Sequence, residues 1–229
     1  MISCIVPVYN NQDTLQHVLS VLSACQDIHE LIAVDDGSQD ASPGLLSGFP
    51  GVISLFNSNN LGKGGAVVRG IHRARGDTLL LCDADLATLQ VKHIKRLIDE
   101  QRLGEYDMVI AGRGKDAGFA RWMNLVSGER ILQRSAIEPF LELIAAHGNG
   151  IEQIINFAHR GKRVKCIVNH GVGHVLKYQR GGMYQSIPAY AKEIGQLIQT
   201  ELLLVRMAGS AGFWAYIRRL QRSSFTRQM

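Results

Sequence analysis

The sequence predicts an α/β fold with a mostly parallel central sheet and helices on both faces. Three observations point there. Short apolar runs alternate with segments of helical spacing through the first half of the chain. Several of those runs are apolar on both faces, as strands of a covered sheet must be. Polar residues collect just after the runs, at what would be the carboxyl ends of the strands, where such sheets bind ligands. With 229 residues, 46% of them hydrophobic, the chain can bury a sizeable core in one large domain.

Taken in order, ISCIVPV (2–8), ELIAVD (30–35), VISLFN (52–57), DTLLLCD (77–83) and YDMVIAG (106–112) read as strands. Segments 12–25, 62–75 and 90–103 carry helical spacing between them. The second half is less regular. RGKDAGFARWMN (113–124), with glycines and mixed charge, reads as a mobile loop; 136–147 and 150–160 read as helices; RVKCIVNHGVGH (163–174) reads as a strand entering a glycine-rich turn; 188–206 reads as a long helix. The organisation expected is a nucleotide-binding half over 1–112, a site-completing half of the same domain over 113–208, and a basic tail over 209–229.

Charge and cysteine usage narrow the class. The net charge of +5 resides in Arg206, Arg218, Arg219, Arg222 and Arg227, since no acid follows Glu201. In that tail Phe213, Tyr216, Ile217 and Leu220 share one helical face, the pattern either of a helix lying on an anionic membrane or of one docked on the body or in a homodimer. No aromatic stacking platform accompanies the arginines, so nucleic-acid binding is not expected. Cys4, Cys25, Cys82 and Cys166 show no C-x-x-C spacing and fit a reducing cytosol. Neither a signal peptide nor a transmembrane span is expected; Glu201 and Arg206 interrupt the late apolar segment.

Three constellations at the strand ends carry chemistry. Asp83 and Asp85 in LLLCDADL lie one residue apart and point to one side of an extended chain. Two such carboxylates suit Mg²⁺ or Mn²⁺ rather than zinc; the alternative is that one of them caps the helix that begins near Leu89. In VDDGSQD (34–40), Asp35 or Asp36 can accept hydrogen bonds from a base N–H or a ribose hydroxyl, or the segment is a simple turn. NLGKGGAVVRG (60–70) offers a glycine-rich helix start with Lys63, suited to an anion or to tight packing on the sheet; it matches neither the Walker A nor the G-x-G-x-x-G pattern.

The order VPVYN, VDDGSQD, NLGKGGAVVRG and DADL, each after a successive strand, resembles the family 2 glycosyltransferases, in the branch of the dolichyl-phosphate mannose and glucose synthases. The likeness covers roughly residues 3 to 112, and more loosely SGER (127–130), GNGIEQ (148–153) and GVGHVLK (171–177). The resemblance implies a GT-A fold, a nucleotide-sugar donor and a divalent metal. It implies that Pro7, Tyr9, Asn10, Asp35 and Asp36 line the base and ribose, that Lys63 sits by the donor, that Asp83 meets ribose or sugar, and that Asp85 binds the metal, with His174 returning to it from a late loop.

An acceptor hydroxyl would need a general base, for which Glu152 in GNGIEQ and Glu129 in SGER are the candidates. A polyprenyl phosphate is already an anion and needs none; Arg113, Lys115, Arg121, Arg130 and Arg134 could then meet it. The expected activity is metal-dependent transfer of a hexose from a UDP- or GDP-sugar, UDP favoured, to a polyprenyl phosphate or a small soluble acceptor. The expected location is the cytoplasm, with peripheral contact at the inner face of the membrane as an option. The rivals are a sugar-1-phosphate nucleotidyltransferase and a nucleotide-sugar-binding protein without activity.

Overall fold

The computed structural model describes residues 1–112, 125–172 and 183–209. The expected loop over 113–124, His174 and the tail from residue 210 onward lie outside them.

The strands are β1 (Ile2–Val8), β2 (Glu30–Asp35), β3 (Val52–Phe56), β4 (Thr78–Leu81), β5 (Met108–Gly112), β6 (Arg130–Gln133) and β7 (Val164–Val168). They form one sheet in the order β3-β2-β1-β4-β6-β5-β7. Every neighbouring pair is parallel except those of β6, which runs antiparallel to β4 and β5. Both halves of the chain therefore contribute to a single sheet.

The helices are α1 (Leu15–Ser23), α2 (Ser42–Ser47), α3 (Gly62–Arg73), α4 (Val91–Gly104), α5 (Arg134–Ile137), α6 (Leu141–Ala146), α7 (Ile151–Ala158) and α8 (Met183–Ala208). Alternation along β1 divides the core between the two faces. Ile5 joins Ile32 and Val34 beneath Val67 and Ile71 of α3 and Ile154 and Phe157 of α7. Cys4 and Val6 join Leu31 and Ala33 on the opposite face, against Leu15, Leu19 and Leu22 of α1 and Leu97 and Ile98 of α4. All six residues of β2 are buried, which is why its sequence shows no polar face. All four cysteines are buried and none is in a disulfide.

Three elements differ from expectation. The strand β6 is only RILQ, too short to show a period, and is recognised by its partners β4 and β5 rather than by its own pattern. Residues 136–147 are not one helix: Pro139 lacks a backbone N–H, and the segment divides into α5, a 3₁₀ turn over Glu138–Phe140, and α6. The short α2, SPGLLS, carries a proline in its first turn and is not among the helices expected from sequence.

Two basic residues offered to a phosphate serve the fold instead. The Arg130 side chain is fully buried, its guanidinium donating to the carbonyls of Ser127 (3.1 Å from Nε) and Leu125 (3.2 Å) and to Oδ1 of Asn156 (3.0 Å). Arg134 donates to the carbonyls of Ala74 (2.7 Å) and Ile71 (2.9 Å), closing the C-terminal end of α3, where a cation is favoured.

The core also holds a neutral histidine. His159 is 1% exposed, its Nδ1 lies 2.8 Å from the carbonyl oxygen of Ile155, and Nε2 has no partner among the described residues. Burial depresses its pKa to about 4, from an ordinary value of 6.5. Because the folded value is the lower one, the unfolded chain takes up the proton first as pH falls. Stability is complete above about pH 6.5 and declines towards pH 4, by about 3 kcal/mol in all. Urea unfolding at pH 7 and pH 5 is expected to show about 2 kcal/mol of this loss in the wild type and a smaller one in His159→Asn.

Among the described residues, no helix is long and apolar enough to cross a membrane.

Candidate active site

Because β1 to β4 are mutually parallel, the segments that follow them meet on one edge of the sheet. The first two are joined by hydrogen bonds. Asn10, at φ 53°, donates its N–H to Ser38 Oγ (2.9 Å), and Gln39 donates its N–H to Asn10 Oδ1 (2.8 Å). The N–H of Tyr9 reaches Asn11 Oδ1 at 2.9 Å, and that of Asn11 reaches Ser42 Oγ at 2.9 Å. Tyr9 itself is left exposed at the rim.

The two acids of VDDGSQD have different fates. Asp36 Oδ1 accepts from Asn57 Nδ2 (2.7 Å) and from the N–H of Leu61 (2.9 Å), fastening the loop between β3 and α3. Asp35 is also buried; its Oδ2 takes the N–H of Ser38 at 3.2 Å, but Oδ1 has no partner among the described residues. A buried acceptor without a donor costs free energy until something supplies one. Of the two, Asp35 is the one equipped to receive a ligand N–H or O–H. Gly37, at φ +73°, passes within 3.0 Å of the Asn59–Asn60 backbone at its β-carbon position, so this close turn admits no side chain without strain.

Lys63 begins the next group. Its Nζ lies 2.7 Å from Asp83 Oδ1 and 2.7 Å from Glu152 Oε1, joining the first turn of α3 to the end of β4 and the first turn of α7. Burial alone would depress this ammonium, but Asp83 and then Glu152 hold it above the usual lysine range. Glycines make the approach possible: a β-carbon on Gly64 would overlap the carbonyl oxygen of Ile144, and one on Gly128 would overlap the Asp83 carboxylate. Pro7, Gly128 and Arg130 line the small cavity shared by Lys63, Asp83 and Glu152.

Beyond β4, Asp83 and Asp85 are partly exposed while Ala84 between them is buried, its carbonyl accepting from Thr14 Oγ1 at 2.7 Å. Neither aspartate caps the following helix. Gln90 and His93 form a reciprocal cap at the start of α4, with Gln90 N–H donating to His93 Nδ1 at 3.1 Å.

Glu129 is buried behind the site with its Oε2 2.9 Å from the Ser127 hydroxyl. Among the described residues, no three His, Cys, Asp or Glu side chains gather as ligands for a metal ion. Two residues to which reasoning from sequence assigned no role of their own are Gly128 and Asn57: one lies against Asp83, the other is held by Asp36. Gly128 lies within SGER and Asn57 ends VISLFN, but their contacts are made across the sheet edge and leave no local pattern.

A ligand-binding type of α/β sheet edge, built from four successive strand ends, is the class of site this geometry defines. Residues 3–143 match the model of the family described as Glycosyl transferase family 2, more than half of the chain, and the chain belongs to that family. It is 35% identical over 132 residues to the undecaprenyl-phosphate 4-deoxy-4-formamido-L-arabinose transferase of Pseudomonas fluorescens (strain SBW25), covering 53% of this chain and 38% of that protein. It is 34% identical over 122 residues to glycosyltransferase AglD of Haloferax volcanii, covering 49% of this chain and 19% of that protein. The match thus spans less than half the length of either relative.

Among solved structures, glucosyl-3-phosphoglycerate synthase from Mycobacterium tuberculosis, in complex with Mn²⁺, UDP and glucosyl-3-phosphoglycerate, superposes with a TM-score of 0.69 at 18% identity, over 87% of this chain and 79% of that one. The same enzyme with Mn²⁺, UDP-glucose and phosphoglyceric acid gives a TM-score of 0.67 over the same shares. The fold is the GT-A fold.

Proposed function

We propose that this chain is the catalytic part of a glycosyltransferase that moves a hexose from a nucleoside diphosphate, UDP in preference to GDP, to a polyprenyl phosphate. The observation that carries the donor half is Asp35, whose buried Oδ1 lacks a partner among the described residues on the edge where the four motifs converge. In this reading Oδ1 accepts from the base or the ribose, Pro7, Tyr9 and Asn10 border the same ligand, and Asp83 faces the ribose or the sugar.

Asp85 fits a hard divalent cation: it is a partly exposed carboxylate beside the donor edge. The described residues offer too few ligands to enclose a cation, so donor phosphate oxygens and His174 would complete the set. Mg²⁺ or Mn²⁺ held there supplies positive charge to the nucleoside diphosphate as it departs.

The two candidate bases favour an acceptor that arrives ionised. Glu152 is 7% exposed with Oε1 on Lys63, and Glu129 is 4% exposed behind Ser127. A base must lie within hydrogen-bond reach of the hydroxyl it deprotonates; Glu152 is already engaged by the Lys63 ammonium and Glu129 by the Ser127 hydroxyl, which favours an acceptor that needs no base. An acceptor phosphate oxygen can instead form the bond to the anomeric carbon directly, while the bond from that carbon to the diphosphate breaks and its electron pair leaves with the nucleotide. The name of the Pseudomonas relative supports the same acceptor class. Recruitment to an anionic bilayer falls, in this reading, to the basic residues of 209–229.

The test is a transfer assay with labelled UDP- and GDP-hexoses and Mn²⁺, offering undecaprenyl phosphate or 3-phosphoglycerate. Label is expected in the lipid product from a UDP-sugar. Transfer to phosphoglycerate alone would overturn the acceptor assignment, and no transfer from any donor would overturn the enzymatic reading.

A further inference from the structure

Lys63 was expected beside the donor, yet its ammonium is committed to two carboxylates from opposite sides of the site. Both contacts are 2.7 Å, and the two oxygens share one nitrogen, so the carboxylates stand within twice that distance of each other. We propose that Lys63 is a positioning residue: its ammonium neutralises the buried Glu152 and ties α7 to Asp83 at the donor edge, rather than anchoring the donor's diphosphate.

The surroundings hold all three groups in place. Gly62, at φ +82°, brings its β-carbon position to 3.2 Å from Gly148 Cα, and Gly64 lies against the carbonyl of Ile144, so the backbone carrying Lys63 has little room to withdraw. Gly150, just before α7, lies so close to Thr200 of α8 that a β-carbon would overlap the Thr200 hydroxyl. Gln153, next to Glu152, donates to Glu201 Oε2 of α8 at 2.7 Å. The helix that presents Glu152 is thereby pinned from behind, and Gly128 walls the Asp83 carboxylate from the other side.

Exposure decides which carboxylate depends on the lysine. The Asp83 side chain is 20% exposed and retains access to water, whereas that of Glu152 is 9% exposed. Removing the ammonium leaves Glu152 as a buried charge without its counter-ion, the costly half of a broken ion pair. Replacing both members by neutral groups leaves no such charge. A phosphate anchor behaves differently, because its loss is not repaired by changing Glu152.

The inference rests on the transferase reading for its kinetic arm only, so a double-mutant cycle of Lys63→Met and Glu152→Gln is read in two ways. Thermal unfolding needs no substrate: Lys63→Met is expected to lower Tm by about 5–10 °C, and the double variant to recover most of that loss. In transfer assays Lys63→Met is expected to lower kcat/KM for the donor on the order of tenfold or more, with Lys63→Arg retaining more activity than Lys63→Met and the double variant regaining most of the loss. If the double variant is as impaired as Lys63→Met in both readouts, Lys63 acts elsewhere and the inference fails. A wild type that transfers nothing counts against the transferase reading, and the Tm cycle still decides the role of Lys63.

Discussion

Asp85→Ala is expected to lower glycosyl transfer on the order of 10³-fold, about 4 kcal/mol of transition-state stabilisation. The loss is expected in kcat as well as in kcat/KM, because charge on the departing diphosphate is greatest in the transition state. The fold is expected to persist. It is Ala84, buried and bonded through its carbonyl to Thr14, that packs this segment, while Asp85 lies towards the edge. Steady-state kinetics at saturating Mn²⁺, beside a far-UV spectrum of the variant, checks both parts. Full activity in Asp85→Ala would remove the basis for placing the cation at this residue.

The second large effect is at Asp35, and it should fall on binding. Asparagine can keep the contact from Ser38 N–H through its amide oxygen, but it then turns an NH₂ group towards the position where Oδ1 now offers an acceptor. A hydrogen bond to a charged acceptor is worth roughly 1.5–3 kcal/mol, so the donor KM is expected to rise by about 10- to 100-fold. The contact is made to the base or ribose, remote from the bond that breaks, so kcat is expected to change far less. An Asp35→Asn enzyme with an unaltered donor KM would place the nucleotide elsewhere. Asp36 is a poorer choice for this experiment, since its carboxylate holds Asn57 and the loop before α3 and its loss would disturb the fold as well.

Why Asp35 and Asp36 differ shows what the sequence could and could not convey. Both follow an apolar strand, and either could have faced a ligand; only the arrival of the β3–α3 loop assigns one of them to the fold. The first two strands, by contrast, were legible to the residue, because a buried parallel strand is apolar throughout and is followed by the turn residues of the binding edge. The antiparallel β6 was not legible, since its four residues acquire strand geometry from neighbours distant in sequence. The break at Pro139 was legible in principle, as a residue without an N–H inside a helical pattern.

Charge was harder to place than hydrophobicity. Arg130 and Arg134 looked like surface cations open to a phosphate, yet one is enclosed by carbonyls and the other closes a helix end. Lys63 and Glu152 lie 89 residues apart, so no spacing rule could pair them. Long polar side chains find partners in three dimensions, whereas apolar periodicity is set by the local geometry of helix and strand.

Calorimetric titration of the protein with UDP-glucose and GDP-mannose, each with and without Mn²⁺, tests the donor site most directly. Saturable heat from the UDP-sugar that requires Mn²⁺, is displaced by UDP and weakens in Asp35→Asn is the expected result. No binding of either nucleotide sugar at millimolar concentration with Mn²⁺ present would contradict a donor site on this edge of the sheet.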